Sequence, residues 1–118
     1  KLLQAGVPPS QVTVVGASKG GFLALATAAE LQEDAVSCVV LAGCGSSTEA
    51  FASRLRGRIL SVYDASDRFR PSCETTFAGA PKLRDKREVV GRKDVAHGLL
   101  YRPRADWLDP LVEWTARR

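Results

Sequence analysis

A run of β-branched residues, Val12-Thr-Val-Val15, breaks into Gly16-Ala-Ser-Lys-Gly20 and then into Gly21-Phe-Leu-Ala-Leu-Ala-Thr-Ala-Ala-Glu-Leu31. The first four residues read as a short buried strand. Those after Gly21 are strong helix formers, apolar almost all round, and predict a buried helix from Lys19 to Leu31. A strand that becomes a helix within so few residues must reverse sharply. The residue at the apex, Ser18, is then forced into a strained backbone conformation. Gly16 and Gly20 on either side are small enough to let strand and helix pass. Such strain is useful where a serine must stand exposed at the carboxyl end of a sheet and at the head of a helix.

Other glycine turns share some of these letters. The phosphate turn of short-chain dehydrogenases would use Gly16 and Gly20 as its first two glycines, but its third falls on Phe22, which leaves no room for close packing on a cofactor. A Tyr-x-x-x-Lys pair is missing too, since Asp67 and Ala105 stand four residues after Tyr63 and Tyr101. The next apolar run, Val36 to Leu41, ends in Ala-Gly-Cys-Gly with no acid to hold a ribose. An NAD(P)-binding oxidoreductase fragment is therefore the weakest reading. A Walker A loop needs Gly-Lys-Ser/Thr, and the order here is Ser-Lys-Gly.

Beyond the turn the chain alternates strand and helix. Lys1 to Ala5 reads as helix ended by Gly6 and Pro8-Pro9. Strands are expected at Val36–Leu41, Arg58–Tyr63 and Arg87–Gly91. Ser46 to Leu55 reads as a helix with Ser46-Ser-Thr48 as its cap. Glu74 to Lys82 is weakly helical and interrupted by Gly79 and Pro81. Trp107, Leu108, Leu111, Val112 and Thr115 form a helical stripe, capped by Asp106 or Asp109 with Pro110 in its first turn. Short, continuously apolar strands between helices imply a parallel sheet covered on both faces, a three-layer α/β/α fold with about four strands. With 118 residues this is one domain, large enough for a single core.

Active sites of such sheets gather at the carboxyl ends of the strands. Chemically useful residues fall there. The strand through Tyr63 runs into Asp64-Ala-Ser-Asp67, and the next into Asp94-Val-Ala-His97-Gly98. His97 is the one histidine of the chain. A lone histidine is more often structural, yet this one lies in the loop after the last strand and follows a serine and an aspartate in order. With imidazole titrating near neutrality, it suits a general base for the Ser18 hydroxyl. Asp67, three residues beyond the strand end, or Asp64 directly at it, would orient that imidazole. Asp64 alternatively bonds its own turn.

The G-x-S-x-G elbow together with the order Ser18, Asp, His97 resembles the α/β-hydrolase family. The resemblance runs from Val12 to Trp114 and matches the C-terminal half of that family's domain, a minimal or truncated version of its fold. It implies a serine esterase with Ser18 as nucleophile, His97 as general base and Asp67 in the acid slot, with Asp64 as the alternative. The backbone N–H of Lys19 would supply one oxyanion-hole donor; the loop that carries the second has no counterpart here. The strand from Val12 would then be an apolar edge, open to another chain, which implies a homo-oligomer.

Composition narrows the partners. The net charge of +4 is mild, and the basic residues at Arg54–Arg58 and Lys82–Arg87 lack interleaved aromatics, which argues against a nucleic-acid groove. No apolar run is long enough to span a membrane and no signal-peptide pattern is visible, so a cytoplasmic chain, with its N-terminus trimmed, is expected. Three cysteines without C-x-x-C or histidine spacing predict neither a metal site nor a disulfide framework. No cofactor is implied. The expected activity is hydrolysis of small carboxylic esters. The alternative is a non-catalytic piece that associates through its open sheet edge.

Overall fold

The computed structural model describes residues 1–69 and 72–117. Strands β1 (Thr13–Ala17), β2 (Ser37–Leu41), β3 (Gly57–Asp64) and β4 (Leu83–Gly91) lie side by side in chain order. Each neighbouring pair is parallel. This is the expected small parallel sheet. Its order leaves β1 at one edge and β4 at the other.

The alternation of side chains along each strand divides the apolar residues between two cores. On one face Cys38, Val40 and Ile59 pack against Ala24, Leu25, Ala28 and Ala29 of helix α1 (Lys19–Leu31), joined by Phe51, Leu55 and Phe77. Helix α2 (Ser46–Glu49) and helix α3 (Glu74–Ala78) meet on this side, where the hydroxyls of Thr48 and Thr76 lie 2.6 Å apart, both buried. On the other face Val39, Leu60 and Val62 pack against Leu99 and against Trp107 and Trp114 of helix α4 (Ala105–Ala116). The Arg58 guanidinium stacks 4.4 Å above the Trp114 ring and pairs with Asp85 at 3.7 Å, which satisfies a charge at a buried position. The layers are α/β/α.

Several elements depart from expectation. Lys1 to Ala5 forms turns rather than helix, since so short a segment gains little by propagation. The segment expected as one helix to Leu55 splits into α2 and a 3₁₀ turn at Ala52–Arg54. Strand β4 starts at Leu83, not Arg87, because its exposed face is charged and hides the apolar alternation. Helix α4 begins at Ala105, so Pro110 lies inside it rather than in its first turn. Helix α1 is not buried all round: Leu23 and Leu31 are exposed.

The largest correction concerns the cysteines. Cys44 and Cys73, both buried, form a disulfide with their Cα atoms 5.2 Å apart. It ties the loop after β2 to the start of α3. Sequence spacing could not show it, because the two cysteines are 29 positions apart with a complete strand between them. Cys38 is the free thiol, buried in the first core.

Candidate active site

Ser18 sits between the last residue of β1 and the first of α1 with φ 54° and ψ −120°. That conformation is sparsely populated for any residue with a Cβ and costs roughly 1–3 kcal/mol. Its surroundings hold it there. The Ser18 N–H donates to the Leu41 carbonyl on β2 at 2.8 Å, while its own carbonyl accepts from Gly21 and Phe22 at 2.9 and 3.2 Å. These bonds engage the third and fourth helical donors, and no acceptor among the described residues takes the Lys19 N–H.

Room for the turn comes from glycines, though not from the pair expected. A Cβ on Gly16 would lie 2.0 Å from the Gly20 carbonyl oxygen, so Gly16 has to be glycine. A Cβ on Gly20 itself would meet nothing within 4 Å. The second close approach is between Gly21 and Gly43, where a Cβ on either would come within 2.8 Å of the other's Cα. It lets α1 lie directly on the end of β2. The doubled glycine at 20–21 and the glycine two residues past β2 are the sequence signal for it.

The two aspartates of the β3 loop have different surroundings. Asp64 is 1% exposed. Its Oδ1 accepts from the Ser66 N–H at 3.0 Å and the Ser66 hydroxyl at 2.5 Å, and its Oδ2 accepts from the Lys93 N–H at 3.2 Å. Burial alone would push its pKa up, but these bonds, with the Val95 N–H, outweigh it and hold the carboxyl below the usual carboxylate range. Asp67 also has a buried side chain, and its Oδ2 lies 2.7 Å from His97 Nδ1. Its Oδ1 accepts from the Phe69 N–H at 3.0 Å.

The His97 side chain is about one-third exposed at 32%. A carboxylate only accepts, so in the neutral imidazole Nδ1 carries the hydrogen and Nε2 keeps its lone pair. The loop that delivers it is sharply folded: Asp94 and Ala96 both adopt positive φ, at 50° and 45°. The structure therefore brings Asp67 and His97 into contact. Ser18 stands at the carboxyl end of the same sheet, and among the described residues its hydroxyl makes no hydrogen bond to either.

A groove of about 390 Å³ lies elsewhere, lined by Glu74, Phe77, Ala78, Lys86, Arg87 and Glu88. Among the described residues no three His, Cys, Asp or Glu side chains are grouped to hold a metal ion. Likewise none of the described helices is long and apolar enough to cross a membrane.

No protein-family model matches the chain, and no curated protein matches it in sequence. Its fold is similar to the solved structure of a Klebsiella pneumoniae protein named as a candidate dienelactone hydrolase, with a TM-score of 0.71 at 20% identity. The match covers 98% of this chain and 56% of that one, so the chain spans little more than half the neighbour's length. The α/β architecture is thus that of a partial α/β-hydrolase fold.

Proposed function

We propose that the chain carries the reacting half of a serine hydrolase that cleaves small carboxylic esters. The observation that carries this reading is the 2.7 Å contact between buried Asp67 and His97, at the sheet end where Ser18 is held in a strained turn. Ser18 Oγ attacks the ester carbonyl while His97 Nε2 takes its proton. The proton then passes to the departing alcohol oxygen as the C–O bond breaks, leaving an acyl group on Ser18. A water deprotonated by the same nitrogen attacks that acyl carbon, the Ser18–acyl bond breaks, and a carboxylic acid is released. Asp67 holds the imidazole in the required tautomer and stabilises its charged form.

The unengaged Lys19 N–H, at the head of the 13-residue helix α1, is the oxyanion donor in this reading. Each such donor is worth about 10²–10³ in rate. With no lid between the second and third strands, little apolar wall is expected for an acyl chain, which favours acetyl and butyryl esters over long ones. The neighbour's name points to lactones, which are cyclic esters and belong to the same chemical class.

An association role has its own supporting observation. Edge strand β1 has Val15 at 56% exposure, and Leu23 of α1 stands open at 53%. An unpaired apolar edge is a template for another strand. A homo-oligomer joined there would cover that edge. The direct test of the hydrolase reading is incubation with a fluorophosphonate: one mass adduct on Ser18 supports it, and an unmodified chain ends it.

A further inference from the structure

Asp64 is excluded from the Asp67–His97 contact, yet its carboxylate is bonded on both oxygens. Its partners come from two loops. Ser66 lies in its own loop, whereas the Lys93 and Val95 N–H groups belong to the loop that ends in His97. The Ser66 hydroxyl, which donates to Asp64, in turn accepts from the Ala96 N–H at 3.0 Å. Backbone N–H groups of 93, 95 and 96 thus converge on one carboxylate–hydroxyl pair. Between them Asp94 and Ala96 are left-handed and Val95 is right-handed. A backbone alternating in this way turns successive N–H groups inward, forming a concavity that takes an anion. Here the Asp64 carboxylate fills that place.

We propose that Asp64 and Ser66 are positioning residues: they clasp the 93–96 backbone and thereby set where His97 stands relative to Asp67 and Ser18. This rests on the hydrolase reading for its kinetic consequences, but the clasp has readouts of its own. Two left-handed residues with side chains do not keep such a conformation unaided. Ser66 is the removable link, since it bonds to both loops and touches no reacting group. Its loss unties Ala96, the residue directly before His97.

The test compares Ser66→Ala with Ser66→Thr, which keeps the hydroxyl. As the one histidine of the chain, His97 gives a single imidazole spectrum. In the parent protein, ¹⁵N spectra should show one tautomer, with hydrogen on Nδ1, and a slowly exchanging Ala96 amide. Ser66→Ala should mix the tautomers and speed that exchange at least tenfold, with Ser66→Thr close to the parent. In p-nitrophenyl acetate hydrolysis, Ser66→Ala should lose roughly 10- to 100-fold in kcat with KM little changed. A Ser66→Ala protein with the parent tautomer and the parent Ala96 exchange overturns the clasp, whatever its activity. A changed spectrum in a chain that never hydrolyses the ester overturns the hydrolase reading and leaves the clasp standing. If Ser66→Ala does not fold, the proposal stands or falls on Ser66→Gly read the same way.

Discussion

Gly16 and Gly20 approach so closely that a methyl group on the first would lie 2.0 Å from the carbonyl oxygen of the second. The reverse does not hold, as the Gly20 side of the contact is open. Replacing the two glycines should therefore have opposite outcomes. Gly16→Ala meets backbone that cannot yield and should cost more than about 4 kcal/mol. Gly20→Ala, in the first turn of α1, should be neutral or stabilise by up to about 1 kcal/mol. Urea unfolding of both variants checks this, and equal midpoints would contradict the packing described.

For the reacting groups, a folded Ser18→Ala protein should lose both the fluorophosphonate adduct and ester hydrolysis. Asp67→Asn should lose on the order of 10⁴-fold in kcat by removing the acceptor that fixes the tautomer. Asp64→Asn should lose much less. The reverse ranking of the two aspartates would move the orienting acid to Asp64.

How much of this was legible before the fold depends on where the information resides. The elbow could be read because strand, turn and helix are contiguous. The order Ser18, aspartate, His97 could be read because parallel sheets place strand ends together. What separates Asp67 from Asp64 is three-dimensional: one meets an imidazole, and the other meets N–H groups of its own turn and of a loop 29 residues on. The disulfide failed to register for the same reason. The start of β4 was hidden by Arg84, Asp85, Lys86 and Arg87, which are exposed on an edge strand.

Asp64 also makes a stability prediction. Its carboxyl is held below the usual range in the folded chain, so the ionised form favours folding. That contribution is present above the unfolded pKa of about 3.9 and disappears as pH falls through the folded value. Thermal midpoints should accordingly drop below about pH 4. In Asp64→Asn the midpoint should be lower at neutral pH and its acid dependence shallower. An unchanged slope would assign the acid sensitivity to other carboxylates.

Reduction of Cys44–Cys73 should destabilise the chain by about 3–4 kcal/mol on the chain-entropy model, given a closed loop of 29 residues. Such a bond persists in oxidising compartments. Burial pushes the Cys38 thiol up to about 12, so it should resist alkylation in the folded chain. Thiol titration without reductant should count none in the native protein and one in denaturant. Two or three free thiols in denaturant would rule the bridge out.

The open edge predicts association. Val15→Lys places a charge on the exposed side of β1 and should shift any oligomer toward monomer. Light scattering across a dilution series, with the parent alongside, reads this. A parent that stays monomeric at micromolar concentration would remove the edge as an interface.

The disulfide braces one side of the sheet alone. Both sulfurs belong to the core beneath α1, whereas Leu99, Trp107 and Trp114 are packed on the opposite face with no covalent tie. The two sides are therefore expected to open as separate units, with the His97 loop in the looser one. Amide exchange should rank them, with α4 and residues 96–101 opening at lower free energy than β2 and α1. A denaturant series would then find His97 released while Ser18 is still held in its turn. Loss of activity would precede loss of most secondary structure, and the first structure lost would be the face that no bridge spans.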